Sequence, residues 1–181
     1  MRGVFDIEFE RTDYSDQGYA IIGRALAYAQ GFEGDCRALR KMLEAKAGTL
    51  DESLFDDEQS FRDFIEAIHR EPLSKQLGRI TKMLHLTHDV DEVLHLARAS
   101  RNEIAHEVCL GRQFDIETIE GRTSLVNEVS IAIRRIAEAH LVMLVLMTLV
   151  ARESLPAGHY LDSYCERVVE WICETDDSSG Q

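Results

Sequence analysis

From residue 13 onward, apolar residues recur at intervals of three and four, the spacing that lines one face of an α-helix. Before that point the period is two: Phe5, Ile7 and Phe9 alternate with Asp6, Glu8 and Glu10. One short strand cannot stand alone, so residues 1–12 read as an extended N-terminal arm that packs on its own subunit or on a partner.

The helical stretch divides into seven segments. The first spans about Ser15 to Gln30, with Tyr19, Ile22, Leu26 and Ala29 on one face. Asp35 is placed to cap a second, carrying Leu39, Leu43 and Ala47, which Gly48 stops. Acid-rich Asp51 to Glu58 reads as a solvated turn, and a third helix carries Phe61, Phe64, Ile65 and Ile68. Pro72 suits the first position of a fourth, with Leu73, Leu77, Ile80 and Leu84. Asp89 and Glu92 form a variant capping box that should start a fifth helix, running to about Cys109. After a loop from Gly111 to Gly121, a sixth runs from about Ser124 to Arg152. Its second half is apolar nearly all round, so other helices should surround it. Pro156 and Gly158 break the chain before a seventh stripe of Leu161, Tyr164, Cys165, Val168, Val169 and Ile172. The polar tail, 175–181, completes the chain. The expected fold is an all-α, single-domain helical bundle over residues 13–174.

Composition narrows the function. The 181 residues carry a formal net charge of -13, the wrong sign for coating nucleic acid through bulk electrostatics. A nucleic-acid site must therefore be a local basic cleft on an acidic body, weak and salt-sensitive. Cys36, Cys109, Cys165 and Cys173 form no CxxC pair and no zinc spacing. With three acids and no apolar core, Met1 to Glu10 does not resemble a secretory signal, so reduced thiols and a cytoplasmic location are expected. The most apolar run, Leu141 to Ala151, is about half of the ~20 residues that cross a bilayer.

The chemistry concentrates on the fifth helix, in Arg101-Asn102-Glu103-Ile104-Ala105-His106. Arg101 falls in the middle of the stripe formed by Val90, Leu94, Ala97, Ile104 and Val108, where a guanidinium needs an acceptor or a wet cleft. His106 points about 140° away and about 7.5 Å further along the axis. Asn102 lies one turn before His106 and is placed to bond its ring. His95 and Arg98 extend this polar stripe as candidate substrate-binding residues. Arg followed five residues later by His is a weak signal, since Arg135 and His140 match it too. The polar Asn102 directly after Arg101 distinguishes this copy, because Ile136 follows Arg135.

Arg-Asn-x-x-x-His on a late helix of a small helical bundle resembles the HEPN superfamily. Its nuclease members carry Arg, usually a polar residue, and then His four to six residues further on. The likeness covers about Tyr14 to Glu174 loosely and the motif sharply, with Arg101, Asn102 and His106 in the catalytic places. It implies a ribonuclease active without metal or cofactor, a toxin or defence effector whose dimer turns both motifs toward one cleft. RNA is the implied substrate and a homodimer the implied state, with neither membrane nor DNA as partner. Members paired with a nucleotidyltransferase antitoxin carry Tyr two residues after the His, where this chain has Val108. An antitoxin or regulatory protein stays among the implied partners, with that type disfavoured. The residue types suit the reaction: imidazole transfers protons near neutrality, and an Arg fork matches phosphate oxygens. The alternative function is a non-catalytic HEPN nucleotide-binding or dimeric assembly module.

Plainer readings accompany these residues. Arg101 could pair with an acid across the bundle, Glu128 or Glu138 being the candidates. His85, His88, Asp89, Asp91, Glu92 and His95 are a weak metal candidate, because Asp89 and Glu92 are already used in starting a helix. His140, within the most apolar helix, reads as a core histidine with a satisfied ring. Arg37, Arg40, Lys41 and Lys46 read as a solvated face, Met143 and Met147 as core, and the four cysteines as inert.

Overall fold

The computed structural model describes residues 12–49, 51, 55–108 and 115–174. Every regular element among them is helical: α1 (Asp13–Lys46), α2 (Glu58–Arg70), α3 (Leu73–Leu84), α4 (His88–His106), α5 (Ile119–Ala151), α6 (Gly158–Asp162) and α7 (Tyr164–Cys173). A 3-10 turn, Asp115–Glu117, precedes α5. The fold is an all-α bundle. The N-terminal arm up to residue 11, Cys109 and the tail from 175 lie outside the described residues.

Two long helices form the frame. Thr12 starts α1 with a reciprocal cap, its hydroxyl accepting from the Ser15 N–H while Ser15 Oγ accepts from the Thr12 N–H. Gly48 ends the helix at φ +77°, with Gly48 N–H on Ala45 O and Thr49 N–H on Glu44 O, the paired closure a left-handed glycine permits. α5 runs parallel to α1. Gly18 lies against Ile116 and Leu125, Tyr28 and Asp35 reach His140, and Lys46 donates to the Val150 carbonyl. A Cβ on Gly18 would stand 3.4 Å from that of Ile116, so the close approach needs a small residue there.

α4 and α7 pack on the two sides of α5, and α3 lies against α1 and α4. α7 is antiparallel to α5, since Glu166 pairs with Arg134 while Tyr164 meets His140. The core joins Ile21, Phe32, Leu39, Leu94, Ile104, Leu125, Ile133, Ile136 and Met143. No helix is long and apolar enough to cross a membrane among the described residues.

Several expectations need correction. The first two expected helices are one: α1 continues through Gly31 and Gly34, because Phe32 and Cys36 on either side are buried in the core. Asp35 is therefore no cap; its carboxylate meets a side chain of another helix. The count of seven survives only because the C-terminal stripe divides at Ser163 into α6 and α7. α4 starts after Thr87, without a side-chain cap, so Asp89 and Glu92 form no capping box. Asp89 and Asp91 instead place negative charge in the first turn, where the helix dipole favours it. The second half of α5 is not surrounded either. Only Met143 of residues 141–151 is fully buried, and Leu149 is 55% exposed.

The basic run on α1 is a solvated face at Lys46, which is exposed, but not at Arg40. Arg40 is buried, bonded to Glu71 and 3.7 Å from Glu44, while Arg79 approaches both carboxylates. Lys41 meets His69, and Arg37 is held by Glu33. The corner between α2 and α3 brings Glu71 over this part of α1, which is why the charges are covered.

Candidate functional site

The helix that carries the motif is fixed from below. Leu94, Ala97, Ser100 and Ile104 are buried along α4, and Val108 closes its end in the core. This places Arg101 over the core side, half-buried, and leaves Asn102 and His106 exposed in the last turns. The angular separation expected of Arg101 and His106 is thus what the folded helix presents.

Arg101 does have an acid partner, though not Glu128 or Glu138. Its Nη2 donates to Glu33 Oε2 at 2.7 Å, with side-chain exposures of 23% and 12%. Glu33 sits in the middle of α1 and also accepts from Arg37 one turn on. One carboxylate thus holds two guanidinium groups, one on its own helix and one on α4. The second nitrogen of the Arg101 fork, Nη1, donates to Asn102 Oδ1 at 3.3 Å. A guanidinium has five N–H donors, so donors remain for an anionic ligand after both bonds.

The expected Asn102–His106 bond is not formed. Asn102 turns toward Arg101 instead, and the His106 ring makes no hydrogen bond to another described residue. Arg98 Nη2 and His95 Nε2 are 3.1 Å apart, so the two candidate substrate-binding residues contact each other. They line a groove between α3 and α4 with Ser74, Leu77, Gly78, Asp91 and Leu94.

The metal candidate does not assemble. Among the described residues, no group of three His, Cys, Asp or Glu side chains is close enough to hold an ion. His85 ends α3 in the left-handed conformation at φ 51°, and Asp91 accepts from Thr81 Oγ1 at 2.9 Å.

A second polar constellation lies where three helices meet. His140 of α5 directs Nε2 at Asp35 Oδ2, 2.6 Å away, and Nδ1 at the hydroxyls of Tyr28 and Tyr164, each at 2.9 Å. The hydroxyls are 3.1 Å apart. Burial, then the neighbouring phenol, pushes Tyr28 far above the usual tyrosine range, and burial raises Tyr164 too. Both therefore stay protonated. With Nε2–H donating to Asp35, Nδ1 is an acceptor, and two phenol protons serve three short contacts. The ring is 12% exposed with both nitrogens engaged, so the cluster joins α1, α5 and α7 as a clasp. The satisfied core histidine expected at this position is what the structure contains.

Sequence reasoning reached His140 but not its partners, which come from positions 28, 35 and 164. No local spacing connects them. The only hint was an imidazole amid the apolar run from Ile136 to Val150.

The three described thiols, Cys36, Cys165 and Cys173, are held toward the protonated form. Burial pushes Cys36 far up, helped by the Asp35 and Glu33 carboxylates, and burial likewise raises Cys165 and Cys173. A thiol held protonated is a poor nucleophile and metal ligand. No protein-family model, curated protein or solved structure matches the chain.

Proposed function

We propose that this chain is a metal-independent endoribonuclease that acts as a homodimer in the cytoplasm, as a toxin or defence effector. The observation that carries the reading is the state of the two motif side chains. His106 is open to solvent at the end of α4, while Arg101 is fixed by Glu33 with donors to spare. In the reaction, imidazole takes the proton of the RNA 2′-OH as that oxygen attacks phosphorus. The P–O5′ bond breaks, the 5′ oxygen receives a proton, and the products are a 2′,3′-cyclic phosphate and a 5′-OH. Arg101 would stabilise the charge that develops on the phosphoryl oxygens. The two side chains diverge on one helix, so a two-fold pair of α4 helices would supply one cleft with both groups.

The Arg101–Glu33 pair favours a second reading, a non-catalytic nucleotide-binding or dimeric assembly module in which Arg101 ties α4 to α1. One experiment separates the two. Mixed RNA is incubated in EDTA with wild type, Arg101→Ala and His106→Ala. The ribonuclease reading expects cleavage by wild type and loss in both variants. Wild-type inactivity on every RNA, with an early-melting Arg101→Ala, would establish the ion pair as structural and sink it.

A further inference from the structure

Among the described residues, the arginines divide between those that meet a carboxylate and those, Arg24, Arg98, Arg122, Arg135, Arg152 and Arg167, that do not. Arg37, Arg40, Arg79, Arg101 and Arg134 each lie within ion-pair distance of one. Arg98 does not among the described residues: its bond goes to the imidazole of His95. It stands at one end of the α3–α4 groove, which has a volume of about 250 Å³. The floor is apolar, formed by Leu77 and Leu94, both buried. Ser74 stands on the wall contributed by α3 and Asp91 on that of α4. Asp91 precedes Arg98 by seven residues, which places it about 10 Å back along the helix. The groove therefore has a cation at one end, a hydrogen-bond acceptor at the other and a floor closed by core leucines between them.

We propose that this groove binds a nucleotide unit, and that in the ribonuclease it holds the RNA strand beside the cleavage site. The phosphate would sit on Arg98 and His95, bidentate geometry being what a guanidinium offers it. The sugar and base would lie along the wall at Ser74 and Gly78, above the floor that Leu77 and Leu94 close, with a donor of the base or ribose turned to Asp91. His95, Arg98, Asn102 and His106 follow one another at spacings of three and four, so groove and motif share one face of α4. The distance from Arg98 to His106 is about 12 Å along the axis, so the bound unit is a neighbour of the reacting phosphate. The placement beside a cleavage site rests on the ribonuclease reading; the binding of a nucleotide does not.

Gly78 allows a test that separates binding from folding. It lies in α3 on the groove wall, exposed, and a Cβ there would meet nothing within 4 Å. Gly78→Leu should improve helix propensity while filling the groove. Adenosine 5′-monophosphate, inorganic phosphate and adenosine are titrated into ¹⁵N-labelled His106→Ala, whose motif is disabled. The nucleotide should shift the amides of Ser74, Gly78, His95 and Arg98, and either fragment alone should shift them less. Adding Gly78→Leu or Arg98→Ala should abolish the shifts, with the melting temperature of the Gly78 variant held or raised. Shifts that are absent, lie elsewhere or survive both substitutions would overturn the proposal. In the cleavage assay, Arg98→Ala should raise KM at least tenfold at unchanged kcat. Nucleotide binding in the groove by a chain that cuts no RNA would leave the groove assigned and end the ribonuclease reading. Cleavage without groove shifts would do the reverse.

Discussion

His106 and His140 occupy opposite kinds of surroundings. The first stands in solvent at the end of α4, beside residues adjacent to it in sequence. The second is enclosed at a junction of three helices, and Asp35, Tyr28 and Tyr164 occupy both its nitrogens. An imidazole can work on an outside molecule only if a nitrogen is accessible, and it can tie helices together only if its nitrogens are taken. The more elaborate constellation, with its carboxylate and hydroxyls, is thus the structural one. The sparse one is the candidate for chemistry.

The contrast can be broken most decisively by replacing each histidine in turn. His106→Ala should lower RNA cleavage by ~10²–10⁴-fold and leave the thermal midpoint where it is. His140→Ala should cost about 1–3 kcal/mol, because it removes the shared partner of Asp35 and of two part-buried hydroxyls. Denaturant melts and initial rates on both variants check this, and a destabilised His106→Ala would collapse the distinction. Within the clasp, Tyr28→Phe and Tyr164→Phe should be non-additive, since the two phenols bond each other as well as the ring.

Arg101 lies between the two extremes. Its ion pair is neither fully buried nor at the surface, so Arg101→Ala should cost about 1–2 kcal/mol, between the values for the two limits. Glu33 keeps Arg37, which limits the penalty. A loss above that range in urea melts would move Arg101 to the structural side.

Cys36 sharpens the picture of the enclosed region through pH. Burial raises its thiol above the ordinary 9.0. The folded state therefore favours the protonated form. This contribution is complete below pH 9 and declines as the pH rises and the unfolded thiol ionises. Between pH 8 and 10.5, wild type should lose stability more steeply than Cys36→Ala, as followed by circular dichroism. Equal slopes would mean that the thiol is hydrated in the folded chain.

The smallest effects belong to the exposed side of α1. Gly23, Gly31 and Gly34 are helical, and added Cβ atoms would meet nothing within 4 Å. Each Gly→Ala change should stabilise by about 0.4–1 kcal/mol, measurable as a higher urea midpoint. A destabilising change at any of them would show a neighbour covering that side of the helix.

Local patterning carried most of the fold and little of the contact chemistry. α3 and α4 lie where the apolar spacing placed them, although Pro72 stands just before α3 and no capping box starts α4, and Gly48 stopped α1 as its backbone freedom requires. Gly31, Gly34 and Asp35 look like a helix break on propensity alone. Burial of Phe32 and Cys36 outweighed it, because tertiary packing exceeds the ~1 kcal/mol by which a glycine weakens a helix. Likewise the motif residues could be placed on their faces of α4. The acid facing Arg101 could not, because 68 residues separate it from Glu33. Asn102 turned to Arg101 rather than His106 because both choices lie within reach of one short side chain.

α2 buries a single side chain, Ile68, and is otherwise fastened by Glu71 on Arg40 and His69 near Lys41. Releasing it exposes roughly one isoleucine, about 1.5–3 kcal/mol, far less than a global transition demands. Its amides should consequently exchange with deuterium well before those around Ala29 to Leu39 in α1. A protease should make its first cut beside this helix, and the frame built by α1, α4, α5 and α7 should outlast the cut.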